Sequence, residues 1–195
     1  MDHIVPRWEW RTFGNDFGPA EKRLATLAPE NVQRSGEIYL LVDDSEANAK
    51  YRDHLLDIKQ LERVDDTGLE QWRPVFKKPF PLTAAEVAQV RSALGLPNVP
   101  VDGGTPSLEG LLAALKTAAT NIRVIDVEKT RARFHFHDCA AELTEVVADG
   151  KKIRTVAIED EDPAKVKAAV RAIGLDGLPN TSYPRGLKQL VSLAG

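Results

Sequence analysis

The chain has 195 residues, a formal net charge of -3, 43% apolar and 28% charged residues, a balance that suits one substantial globular domain and excludes extended disorder. The slight negative charge excludes a general attraction to nucleic acid or to an anionic membrane, so any anion site has to be a local concentration of lysine and arginine. The lone Cys139 excludes an internal disulfide or a multi-thiolate zinc site, no apolar run reaches membrane-spanning length, and the charged start Met1-Asp2-His3 lacks a signal-peptide core, which together read as a soluble cytoplasmic protein.

The first predicted element is a strand, Arg7-Trp8-Glu9-Trp10-Arg11-Thr12-Phe13, whose alternation puts Arg7, Glu9 and Arg11 on one face and Trp8 and Trp10 on the other. Pro19 then opens a short helix through Leu24, Leu27 and Ala28 that stops before Pro29. Residues 37–42 read as an apolar strand, residues 47–52 as a second strand with Asn48, Lys50 and Arg52 on one face, and residues 55–61 as a third with Asp57 opposed to Ile58 and aligned with Lys59. After the turn Asp65-Asp66-Thr67-Gly68, the strand over 69–78 aligns Arg73 with Val75 and Lys77 and sends Trp72 and Phe76 the other way, with Pro74 marking an edge or bulge. Thr83-Ala84-Ala85-Glu86 has capping-box spacing before a helix with Val87, Val90 and Leu94 inward, ended by Gly95.

A Pro- and Gly-rich linker over 97–106 follows, and Ser107 caps a helix carrying Leu108, Leu111, Leu112 and Leu115. Ile122 to Phe136 reads as a long strand with Lys129, Arg131, Arg133 and His135 on one parity. Residues 141–147 carry Glu142 and Glu145, the hairpin turn Asp149-Gly150 follows, and residues 153–159 climb back. Asp162-Pro163 opens a helix ended by Gly174, and Ser182-Tyr183-Pro184 leads into a last helix through Leu187 and Leu190. Val90-Arg91-Ser92-Ala93-Leu94-Gly95-Leu96 is echoed by Val170-Arg171-Ala172-Ile173-Gly174-Leu175, so the single domain of residues 1–195 reads as two pseudo-repeated halves, about 1–96 and 107–195.

The basic residues fall at strand spacing with bulky apolar residues mostly on the opposite parity. Two readings follow. One is a sheet with a solvated charged face, which is common. The other is a curved sheet whose apolar parity packs on helices while the charged parity lines a concave interior. Cations crowded in such an interior require compensation, partly from Glu9, Asp57, Glu142 and Glu159 and otherwise from a polyanion; phosphoryl oxygens suit both Arg and Lys.

Here the sequence resembles the CYTH, or triphosphate tunnel metalloenzyme, superfamily, whose first strand carries Glu-x-Glu-x-Lys. On this chain that motif falls on Arg7-Trp8-Glu9-Trp10-Arg11, with Glu9 matching the second glutamate, Arg11 the lysine, and Arg7 standing where the first glutamate belongs. Lys50-Tyr51-Arg52, Lys59, Lys77 and Lys129-Thr130-Arg131 resemble the family's basic strands. Glu142 and Glu159 resemble its acids, and Thr144 and Ala157 thin them. The resemblance implies an α+β fold, an antiparallel eight-stranded tunnel-like β-barrel with helices packed outside. It implies a small phosphoanion ligand, triphosphate, polyphosphate or nucleotide.

Adding the basic residues of the same parity, the expected phosphate-binding set is Arg11, Lys50, Arg52, Lys59, Arg73, Lys77, Lys129, Arg131 and Arg133. Glu9, Glu142 and Glu159 would hold Mg2+ or Mn2+ for triphosphatase chemistry. The alternative is a non-catalytic phosphate-sensing or protein-interaction domain of the same fold, because Arg7 replaces a ligand. If Arg7 faces the tunnel beside Glu9, its guanidinium holds that carboxylate in an ion pair; the opposite reading puts Arg7 outside the barrel mouth as a solvated end residue. Neither nucleic acid nor membrane is an expected partner. The pair His135 and His137 and the lone Cys139 are weaker candidates for chemistry, and no glycine-rich phosphate loop is present.

Overall fold

Trp8 and Trp10 settle which reading of the first strand holds. In the computed structural model, which describes residues 5–96 and 107–192, both indoles are buried against helices, and the charged parity faces the inside of a closed barrel. The elements are β1 (Arg7–Gly14), α1 (Pro19–Ala25), β2 (Asn31–Val42), β3 (Asn48–Arg52), β4 (Leu55–Val64), β5 (Glu70–Pro79) and α2 (Ala84–Leu94). After them come α3 (Leu108–Ala118), β6 (Ile122–Phe136), β7 (Cys139–Ala148), β8 (Lys151–Asp160), α4 (Pro163–Ile173) and α5 (Tyr183–Ser192). The eight strands close in the order β1-β5-β4-β3-β2-β6-β7-β8, every pair antiparallel.

Two apolar cores clothe the outside. Trp8, Trp10, Phe134, Val156 and Ile158 pack against Ala20 and Leu24 of α1 and Val166, Ala169, Val170 and Ile173 of α4. Leu56, Ile58 and Phe76 pack against Val87, Val90 and Leu94 of α2 and Leu111 and Leu115 of α3. Each fully buried side chain of this size contributes about 1.5–3 kcal/mol. α2 carries the complete capping box between Thr83 and Glu86. The echoed stretches end α2 and α4 alike: Gly95 (φ 71°) and Gly174 (φ 90°) take the left-handed conformation that only glycine adopts without strain. The described residues of the first half supply five strands and those of the second three, and the predicted linker over 97–106 lies outside the described residues.

A third apolar cluster lies within the barrel. Following the inward parity from the charges along each strand leads to Phe13, Leu41, Ile125, Val127, Val146, Ala148 and Ile153, which meet Tyr183, Leu187, Leu190 and Val191 of α5. The last helix therefore stops one end of the tunnel.

Three expectations are corrected. Helix α1 ends at Ala25, short of Ala28, with Thr26 taking the cap. Strand β2 starts at Asn31 because residues 31–36 pair with β6, a ladder that local alternation does not reveal. In β5, Ile58 pairs with Phe76 and Lys59 with Pro74, so Val75 is an extra residue and the parity flips across it. Arg73 consequently lies opposite Gln60, whose amide donates to Ala93 O of α2, and so faces outward, while Trp72 lies opposite Leu61 and Arg7.

Candidate functional site

Between the stopped end and the open end, β1, β2, β6 and β7 bring charges of both signs together. The guanidinium of Arg11 is nearly buried: Nε donates to Glu9 Oε1 at 2.8 Å, and Nη1 donates to Glu142 Oε1 at 2.9 Å and to Thr155 Oγ1 at 3.3 Å. Burial works against its charge, but Glu9 and Glu142 outweigh that and raise its pKa well above the usual arginine value. Its backbone is held too, the N–H donating to Asn180 Oδ1 and the C=O accepting from Thr181 N–H, where the chain runs into α5.

Glu37, its side chain fully buried, accepts from Lys129 Nζ at 2.7 Å, Arg131 Nη2 at 3.3 Å and Arg52 Nη1 at 3.4 Å. Burial pushes its carboxyl up, but Lys129 foremost, with Lys50 and Arg131, draws it down to about 2. Glu142 is likewise held at about 2, with Arg11 and Arg131 overcoming burial. Lys129 also donates to Tyr39 Oη at 2.7 Å and lies 3.9 Å from the Tyr183 ring centroid. Burial draws its pKa well below the usual lysine value against the pull of Glu37.

Arg11, Lys50, Arg52, Lys59, Lys129, Arg131 and Arg133 all border one cavity of about 160 Å³, with four carboxylates, Glu9, Asp57, Glu142 and Glu159, on the same walls. Lys50 pairs loosely with Asp57 at 3.7 Å; Lys59 and Arg133 make no ion pair with another described residue. Two buried side-chain atoms among the described residues, Asn48 Oδ1 and Tyr183 Oη, have neither a hydrogen bond nor an ion pair, and Arg131 Nε makes no hydrogen bond but faces Glu142 Oε2 at 3.2 Å; all three residues border this cavity. A second cavity of about 320 Å³ adjoins it at Glu9, Arg11, Arg133, Glu142 and Glu159 and extends past Arg7, Glu30 and Phe134.

Seven of the nine residues expected to bind phosphate thus meet. Arg73 does not: the bulge turns it outward, where it lies 3.7 Å from Glu62. Lys77 shares the tunnel-side face with Asp57 but is exposed and borders neither cavity. Glu142 faces inward and Glu145 is exposed. Arg7 does not hold Glu9; its Nη1 lies 3.3 Å from Glu159, and Glu9 belongs to Arg11. The sequence reading missed Glu37, Tyr39, Asn48 and Tyr183. Glu37 begins an otherwise apolar run, and its parity with Tyr39 was the available signal. His135 and His137 are exposed, with His135 only 3.8 Å from Asp138.

The resemblance implies a divalent ion at Glu9, Glu142 and Glu159, and the residues present do not fit one. Each carboxylate already holds a guanidinium: Glu9 that of Arg11, Glu142 those of Arg11 and Arg131, Glu159 that of Arg7. Among the described residues no group of three or more His, Cys, Asp or Glu side chains is arranged to hold a metal. A hard cation requires several free oxygen ligands.

No protein-family model matches the chain. No curated protein matches it in sequence. Among solved structures, a conserved hypothetical protein of Pyrococcus furiosus superposes with a TM-score of 0.51 at 13% identity, covering 94% of this chain and 99% of that one. A candidate adenylate cyclase of Bacillus halodurans gives 0.49 at 14%, covering 92% and 97%. HpAC1 of Hippeastrum, a candidate adenylyl cyclase with a dominant triphosphatase activity, gives 0.49 at 10%, covering 95% of each. At such identities the likeness is one of fold, and no helix among the described residues is long and apolar enough to cross a membrane. The closed antiparallel tunnel of eight strands, with helices outside, gives this chain a CYTH-like fold.

Proposed function

We propose that the tunnel binds a small phosphoanion, a triphosphate or polyphosphate group, by direct contact with its basic side chains. The observation that carries this reading is the convergence on one cavity of seven basic side chains and four carboxylates, with the buried, unpartnered hydroxyl of Tyr183 on the same wall. Buried polar atoms without partners are rare in folded proteins, and each one calls for an explanation such as a bound water or ion. Tyr183 Oη can donate to a phosphoryl oxygen, and Lys59 and Arg133 border the cavity without an ion pair to another described residue. Lys50 and Lys129, whose pKa values burial lowers, gain from an added anion in the same place.

A melting screen with inorganic triphosphate, pyrophosphate, phosphate and sulfate tests the reading. A ligand at a hundred times its Kd stabilises the folded chain by about 2.7 kcal/mol, or about 5–10 °C for a domain of this size. Triphosphate is expected to give the largest shift and sulfate the smallest. Equal shifts for all four would reduce the site to a general anion effect. Phosphate release from triphosphate with Mg2+ or Mn2+ would replace binding by metal-assisted cleavage at Glu9, Glu142 and Glu159.

A further inference from the structure

We infer that the tunnel excludes a divalent cation, the guanidinium groups of Arg7 and Arg11 supplying in its place the positive charge that the acids require. Glu9 on β1 and Glu159 on β8 are directly opposite one another, an arrangement of like charges that needs a cation between or beside them. The alternation Arg7-x-Glu9-x-Arg11 sets one guanidinium two residues to either side of Glu9 on the same face. Arg7 takes Glu159, and Arg11 takes Glu9 and reaches on to Glu142.

Ala157 makes room for this. It is the register partner of both Arg11 and Glu142, so the smallest of side chains stands where the Arg11 guanidinium spans from β1 to β7. The other oxygen of Glu142 lies 3.2 Å from Arg131 Nε. The neighbouring inward positions Thr144 and Thr155 add hydroxyls but no carboxylate. An entering divalent ion would therefore have to displace the guanidinium of a side chain that is 6% exposed and held by three oxygens, while facing the remaining cations. Arg7 differs, its side chain being 49% exposed and held by one contact, which makes it the replaceable member of the pair.

The direct test uses manganese alone, read as loss of the free-ion paramagnetic resonance signal, on the full chain and on Arg7→Glu and Arg7→Ala. The native chain is expected to show no saturable site at millimolar manganese. Arg7→Glu, which sets three carboxylates at the mouth, is expected to gain one site bound at least about tenfold more tightly, with Arg7→Ala between the two. Melting curves of the metal-free variants check that they fold; Arg7→Ala should melt close to the native chain because its one ion pair is half exposed, and Arg7→Glu somewhat lower because it adds a third carboxylate beside Glu9 and Glu159. A saturable site in the native chain that Glu9→Gln or Glu142→Gln abolishes would overturn the exclusion, and no gain of a site in Arg7→Glu would overturn the part given to Arg7. The clause that triphosphate is held without metal rests on the proposed function and is read separately, by whether its stabilisation is the same in chelator and in magnesium. A shift confined to magnesium overturns the exclusion, whereas no shift in either condition overturns the phosphoanion reading and leaves the manganese titration to decide.

Discussion

The two ends of the tunnel interior are built from the same strands and the same inward parity, and they behave as different materials. At the stopped end, Phe13, Leu41, Ile125, Val127, Val146 and Ala148 close on Leu187 and Leu190 of α5. One or two inward positions further along, Arg11, Glu37, Lys129, Arg131 and Glu142 form a buried ionic network. Tyr183 marks the border: it stacks on Tyr39, meets Phe13 edge-on, and offers its face to Arg11 and Lys129. The apolar end holds the barrel closed without demanding any partner. The ionic part is satisfied only where opposite charges meet, so Lys59, Arg133 and the unpartnered Tyr183 hydroxyl border the cavity beside it.

The comparison breaks most sharply at Glu37. Glu37→Gln leaves Lys129, Arg131 and Arg52 without their shared carboxylate and is expected to cost about 3–5 kcal/mol at pH 7 by urea unfolding. The native carboxyl at about 2 lies below its unfolded value of about 4.3. Its contribution is therefore complete above about pH 4.3 and is lost as pH falls toward 2, so the gap between native and variant narrows over that window. At the other end, Leu187→Ala removes a fully buried side chain and is expected to cost about 2–5 kcal/mol with no such pH dependence. A pH-dependent penalty at Leu187 would mean that the two parts are not separate.

Tyr183→Phe sharpens the border. The ring contacts persist and the hydroxyl has no partner to lose, so stability should stay within about 0.5 kcal/mol of native. Triphosphate affinity should fall about threefold to tenfold if that hydroxyl donates to the anion. The smallest effect belongs to Arg73→Ala, an exposed outward position, where both stability and affinity should change by less than about 0.5 kcal/mol.

Local alternation made the walls of the tunnel legible. Trp8 and Trp10 against Arg7, Glu9 and Arg11, and Phe134 against Lys129, Arg131 and Arg133, each state which face packs on helices and which does not. The capping box of α2 and the glycines ending α2 and α4 were equally visible, because they act within a few residues. What escaped depends on pairing between distant strands. A single extra residue at Val75 reverses the face of Arg73 and Trp72, and no parity count along one strand detects it. Glu37 opens an apolar run and gains its meaning only from Lys129 and Arg131 on the neighbouring strand. Arg7 chooses Glu159 over Glu9 because the register of β1 on β8 puts the two acids side by side and Arg11 already holds the nearer one.

Titration calorimetry of inorganic triphosphate into the full chain in the presence of EDTA tests the central claim most directly. The account predicts saturable binding of one anion per chain, weakened as salt screens the exposed cations and unchanged when magnesium replaces the chelator. Binding that is absent in EDTA and appears with magnesium would contradict it.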